Sequence, residues 1–367
     1  MAIYWYVYAI LAIFSFCDIF SKLSKRTKKT IISLTLFFFA VLSSIYNGPC
    51  GDLYKYKEYF YYPISLQLTI FEPLYVYISS LVKTLTDSYS AFRFVIACIV
   101  MKLWYKILVE RSACVYKDYS ITILLILWAL KEGHIFIIRS TIAVAIAIYS
   151  IRFIRERELK KFLITVLIML GFHLMSIVWL PAYFVYYKNE YRKYYIYVAI
   201  LFGIFHSRIA GLITGITSRI PGFYAIKITS YINKGMAGST GGAAYDYNTL
   251  VLKGSANMIL LIIIFLYVSY RKKQLAHQDE FEHMFNIYAF GAMLYVLSMS
   301  TAIALGRASL PYTTLQFIML PYVFDLPEFK KNIAQKFTTY VCFMSYLTVR
   351  MIPQLTENMS FVTIFEK

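Results

Sequence analysis

The sequence predicts an all-α integral membrane protein, a polytopic bundle of about 10–12 transmembrane helices with broken or re-entrant segments. Three observations predict it. The chain is 60% hydrophobic and only 15% charged over 367 residues, where an ordinary soluble domain carries about a quarter charged residues. Its 37 Lys and Arg gather in short runs, at 22–29, 152–161, 188–193, 271–273 and 330–336, between long apolar stretches. Basic residues are retained on the inner side of a membrane, so these runs mark cytoplasmic turns. The 35 Tyr suit a large interfacial surface, because a phenol sits well at headgroup level. A soluble multi-domain protein is excluded by this composition. The net charge of +18 lies in loops flanking apolar segments, so it reports topology, and no nucleic-acid partner is expected.

A span needs about 20 apolar residues. Residues 2–20 are apolar without a basic leader, which reads as a first span with its N-terminus outside rather than as a cleaved signal peptide. Further spans follow at 31–46, 91–109, 119–130, 135–154, 194–205, 250–270, 284–303, 309–324 and 337–351. The shorter ones extend past a polar residue or thin the bilayer locally. The stretch 70–85 contains Glu72, Pro73 and Lys83. A full crossing there would put the basic run 152–161 outside, so it lies in or dips into the outer face. The stretch 162–187 carries Gly171, His173 and Pro181. Keeping both basic flanks inside requires it to turn back near His173. Non-helical backbone at that depth is tolerated only beside protein or a water-filled cavity, so a cavity is expected at His173. One transmembrane domain, 1–367, is therefore expected, embellished by an outer loop at 47–69 and a long outer loop at 207–249. The latter includes a Gly-rich patch, 235–244. No internal repeat of fixed period is visible, which argues against an inverted-repeat transporter. The five Cys show no CxxC spacing, and neither a metal site nor a disulfide framework is expected.

Basic residues that break the topological pattern are the ones to suspect of chemistry. Arg139 stands about one turn into a span, on the outer side. Its guanidinium needs an anionic partner or water, or else snorkels to the interface. Small Ser140, Thr141 and Ala143 beside it let another group approach closely. Arg307 lies at the outer tip between two spans, between Gly306 and Ala308. Two guanidiniums on one face can grip a diphosphate bidentately, or Arg307 is an ordinary loop charge. Arg93 and Arg208 stand behind these two as further anion-binding candidates. His173 is either a hydrogen-bonded core residue or a proton carrier, and it is the best titratable candidate near neutral pH. His134 ends its span on the outer side. Asp52 either caps a helix beginning near Leu53 or serves as a general base toward a sugar hydroxyl. Around it Tyr54, Tyr56 and Tyr59 offer faces for a sugar, with Glu72 a second carboxylate. Walker A, GxGxxG, HExxH and GxSxG motifs are absent from the sequence.

These pieces in this order resemble the EpsG-type branch of bacterial polysaccharide polymerases, the Wzy family. An early outer loop carries Gly51, Asp52 and Tyr56, and a Glu-Pro pair opens a short helix in FEPLYVYI from Phe71. An Ile-Arg pair then opens the span IIRSTIAVAIAIYSIRFI, a basic turn leads to FHLMS from Phe172 to Ser176, and GRASLPYTTLQFIMLPYVF follows late in the chain. The likeness runs from about residue 46 to the C-terminus. Ser140 follows Arg139 where the family often has Gln, and Leu53 follows Asp52 where it often has Tyr.

The resemblance implies a GT-C-like polymerase that joins lipid-linked oligosaccharide repeat units at the outer face of the bacterial cytoplasmic (inner) membrane. Donor and acceptor are both carried on undecaprenyl diphosphate, and the membrane's own lipid surrounds the site. A chain-length regulator and a flippase are expected as partners, and neither cofactor nor metal is expected. Arg139 and Arg307, with Arg93 and Arg208, would stabilise the departing diphosphate. Asp52 or His173 would take the hydroxyl proton. Tyr54, Tyr56, Glu72 and His134 would contact glycan. A lipid-linked oligosaccharide flippase and a ligase of the O-antigen type remain rival readings, and a plain structural subunit is disfavoured by the cost of intramembrane Arg.

Overall fold

The computed structural model describes residues 2–21, 23–46, 53–109, 119–130, 139–205, 247–271, 278–301 and 307–355. Among them the chain is all-α, with no β-strand. Contacts divide it into two compact units, Met1–Ser176 with Leu320–Lys367, and Ile177–Met319.

The first unit opens with α1 (Ala2–Phe20) and α2 (Lys25–Ile45). Ser24 starts α2 by accepting the Thr27 amide at 3.1 Å, which satisfies one donor that the first turn leaves unpaired. These two helices are both long and apolar enough to cross a membrane. Short helices follow, α3 (Leu53–Phe60), α4 (Ile64–Ile70) and α5 (Pro73–Leu85), so much of the expected first outer loop is helical. Next come α6 (Tyr89–Val109), α7 (Ser120–Ala129), α8 (Arg139–Arg155) and α9 (Leu159–Phe172).

The core of this unit is α7, every residue of which is buried. Its ten residues rise ~15 Å and fill the segment 119–130 read as a span, but for one residue at each end. It lies antiparallel to α1. Tyr4 stacks on Trp128 at 4.6 Å, the Ser15 and Thr122 hydroxyls meet at 2.9 Å, and Asp18 accepts the Ile121 amide at 3.2 Å. Asp18 in turn pairs with Lys28 of α2 at 2.5 Å. The other flanks of α1 and α2 expose Ile10, Ile13, Leu34 and Phe37, large side chains at a frequency that suits hydrocarbon rather than water.

Of the second unit, the helices that matter are α10 (Ala182–Val185), α11 (Arg192–Ile204), α12 (Tyr247–Tyr270) and α13 (Gln278–Thr301). Helices α12 and α13 run antiparallel, with the Tyr288 hydroxyl on Met258 Sδ at 3.1 Å. Gly291 makes room for Tyr312, whose Cγ would stand 3.0 Å from a Cβ added there. The expected span 309–324 is instead broken into short pieces, Arg307–Ser309, Leu310–Thr313, Leu315–Met319 and Leu320–Asp325. Pro311 and Pro321 within it each lack a backbone donor. The chain re-enters the first unit at Leu320, where α14 (Ile333–Leu355) runs antiparallel to α1. There Lys336 donates to the Ile19 carbonyl and Tyr340 to the Ala12 carbonyl, both at 2.7 Å.

Candidate functional site

Helix α9 stops where the sequence predicts a break. His173 is its C-cap and adopts an extended conformation (φ −158°, ψ 113°), after which the chain continues as a 3₁₀ helix, Leu174–Trp179. A break leaves backbone groups without helical partners. The Leu174 amide is such a donor, and it finds Glu72 Oε1 at 2.9 Å.

Glu72 is delivered by local sequence. It is the extended N-cap of α5 (φ −71°, ψ 148°), and Pro73 behind it occupies the first helical position, where a missing N–H costs nothing. Gly171, two residues before the break, lets the first turn of α5 press against α9. A Cβ at that position would lie 2.5 Å from Leu74 Cγ.

The other carboxylate oxygen, Oε2, accepts from Arg139 Nη1. Arg139 is the first residue of α8. Its Nε and Nη2 donate to the Tyr56 hydroxyl, each at 3.2 Å. The guanidinium lies over the Phe71 ring at 4.6 Å and the Tyr56 ring at 5.5 Å, and those two rings stack at 5.2 Å. An aromatic plate of this kind contributes about 0.5–2 kcal/mol to holding a guanidinium. These bonds leave part of the five-donor fork uncommitted. The pair is part-buried, with Arg139 and Glu72 side chains 17% and 16% exposed.

The third member is His173, whose Nδ1 stands 3.8 Å from Glu72 Oε1. At that distance it acts as a neighbouring dipole or charge rather than through a direct hydrogen bond. Burial works against a charge on Glu72. The imidazole, the guanidinium and the Leu174 amide outweigh it and hold the carboxyl at about 2, below the ordinary carboxylate range. Neither ring nitrogen of His173 has a hydrogen-bond partner among the described residues, and nor does Ser176 Oγ one turn on. A buried polar group without a partner costs about 1–3 kcal/mol, so two such side chains at one helix break mark unsatisfied capacity for a ligand or water.

Tyr56, Glu72, Arg139 and His173 therefore come together. Arg93 does not join them. It is buried in α6 and donates to the carbonyls of Ser43 and Tyr46, at the C-terminal end of α2 where a helix carries partial negative charge. Its guanidinium fastens two helices. Tyr54 lies in α3, and Arg307 opens the turn Arg307–Ser309, but the side chains of both fall outside the described residues. Asp52, His134 and Arg208 also lie outside the described residues.

Three participants were not singled out from sequence. Phe71, the Leu174 amide and Ser176 all sit inside the quoted FEP and FHLMS segments, and the signal was their adjacency to a polar residue in apolar surroundings.

A family model described as the EpsG family matches residues 28–362. No curated protein and no solved structure matches the chain.

Proposed function

The chain belongs to the EpsG family, and from that premise we propose that it is a polysaccharide polymerase joining undecaprenyl-diphosphate-linked repeat units at the outer face of the bacterial cytoplasmic membrane. The family makes it a membrane protein of polysaccharide biosynthesis. The donor, the reaction and the site are our reading.

One observation carries the reading. Four residues drawn from separate stretches, Tyr56, Glu72, Arg139 and His173, converge on one part-buried charge cluster whose imidazole has no hydrogen-bond partner among the described residues. A cluster that served only to hold helices together would have no reason to leave those nitrogens open.

The proposed reaction needs few parts. The acceptor sugar's hydroxyl oxygen attacks the anomeric carbon of the donor chain. The bond from that carbon to the diphosphate oxygen breaks, and undecaprenyl diphosphate leaves with the electron pair. His173 takes the hydroxyl proton through a ring nitrogen. Glu72 lies against the ring and stabilises the imidazolium that forms, as an ionised carboxylate does for a catalytic histidine. The uncommitted N–H groups of Arg139 face growing negative charge on the leaving diphosphate. Tyr56 and Phe71 hold that guanidinium in one orientation.

The test uses purified protein in detergent with lipid-linked repeat units extracted from a strain deleted for this protein. Wild type yields a ladder of longer lipid-linked glycans. His173→Gln, folded by size-exclusion profile, yields about 10²-fold less or none. A full ladder from His173→Gln would remove the imidazole from the reaction, and no ladder from wild type would remove the activity.

A further inference from the structure

The second unit holds a different kind of site. A cavity of about 350 Å³ is lined by Asn189, Glu190, Arg192, Lys193, Ile196 and Leu266, a size at the lower end for small-ligand sites. Three of these six are charged, Asn189 is polar and neutral, and Ile196 and Leu266 are apolar. The charged half belongs to the basic run 188–193, which positive-inside topology assigns to the cytoplasmic side. The apolar part belongs to α11 and α12, helices that also expose Leu201 and Ile263 at 53% and 58%. The cavity thus sits where a charged turn meets a surface fit for acyl chains.

Its cationic side is built in advance. Arg192 Nη1 donates to Glu282 Oε2 at 2.5 Å and to Asn286 Oδ1 at 3.5 Å, and its guanidinium lies over the Phe285 ring at 4.6 Å. Glu282 is itself fixed by the Ser269 hydroxyl at 2.5 Å. Charge is not balanced across the site. Glu282 matches Arg192, and Glu190 stands 3.7 Å from Lys188. Lys193 has no carboxylate within ion-pair distance among the described residues.

We infer that this cavity binds an anionic glycerophospholipid of the inner leaflet, its phosphodiester on Lys193 and the free edge of Arg192 and its acyl chains along Ile196 and Leu266. One surplus positive charge matches one phosphodiester, and the apolar wall gives the tails a place that a soluble phosphate would leave empty. Glu190 and Asn189 offer hydrogen-bonding groups to headgroup hydroxyls. The inference does not depend on the proposed polymerase activity.

Native mass spectrometry of the full chain released from detergent tests it, titrating phosphatidylglycerol against phosphatidylcholine with the same acyl chains. Wild type retains phosphatidylglycerol in preference. Lys193→Glu lowers that retention about tenfold and leaves phosphatidylcholine unaffected. Lys193→Gln, which only neutralises the charge, lowers it less and serves if the reversal impairs folding. Equal retention by wild type and both variants, or equal retention of the two lipids by wild type, overturns the inference. Displacement of phosphatidylglycerol by millimolar glycerol 3-phosphate also overturns it, since the site would then take a soluble anion.

Discussion

Two guanidinium–carboxylate pairs, one in each unit, differ in what they leave undone. In the second unit Glu282 accepts from Arg192 on one oxygen and from Ser269 on the other, and Asn286 donates to the Tyr186 carbonyl at 2.9 Å and to Asn189 at 2.5 Å. Both oxygens of Glu282 and the amide of Asn286 are answered by protein, and only one edge of Arg192 is left over. In the first unit Glu72 is equally well supplied, by Arg139 and the Leu174 amide. The groups next to it are not, since both His173 nitrogens and Ser176 Oγ lack partners among the described residues. A closed polar network fixes a fold, and an open one has capacity to spare for substrate. Counting charges would have ranked the two alike, and counting unmet hydrogen bonds separates them.

Paired substitutions test that separation most strongly. Glu72→Gln keeps the size of the side chain and removes its charge. Polymerisation should fall about 10²-fold, because the imidazolium loses its counter-charge. Glu282→Gln should act chiefly on stability. It leaves Arg192 without its buried counter-ion, at about 3 kcal/mol or more, read as a lower melting temperature in detergent. If the two variants exchanged phenotypes, the assignment of chemistry to the first unit would be reversed.

A second pair uses glycines. Gly171→Ala and Gly291→Ala each insert a methyl against a packed neighbour, Leu74 and Tyr312 respectively, and should each cost about 1–3 kcal/mol. Only Gly171→Ala should also lower the polymerisation rate of folded protein, since it pushes α5 from α9 and so Glu72 from His173. A rate loss in Gly291→Ala of the same size would show that packing anywhere in the chain controls activity.

The smallest effect is on pH. The Glu72 carboxyl sits at about 2, below an unfolded value of about 4.3. A depressed value means that the stabilisation is fully present above about pH 4.3 and is lost as pH falls toward 2. The melting-temperature difference between wild type and Glu72→Gln should therefore stay flat from about pH 8 to 5 and shrink only below about pH 4. A difference that declined between pH 7 and 5 would mean that Glu72 is not held in this arrangement.

Much of the first unit's site could be read from sequence because its members are conspicuous. Glu72, Arg139 and His173 each interrupt an apolar stretch, and a polar group in such surroundings needs a reason. What sequence could not supply was the pairing. An anionic partner was expected for Arg139, and the structure supplies Glu72 as one, 67 residues away in the chain. The network in the second unit gave no such sign. Arg192 lies in a basic run that reads as a solvated turn, and Glu282 is one of several acids opening α13. Their contact spans 90 residues, and no local period announces it. Helix α7 was placed to within a residue at each end, but its complete burial was not legible, because a fully buried core helix and a membrane span are equally apolar.

The bond between Glu72 and the Leu174 amide also orders events during synthesis. A segment of 14 residues, as α9 is, reaches only ~21 Å, too little to settle alone across ~30 Å of hydrocarbon. Translation delivers the carboxylate 102 residues before the amide that requires it. The acceptor therefore precedes the donor in the order of synthesis, and the amide freed by the helix break has a partner within the chain made before it.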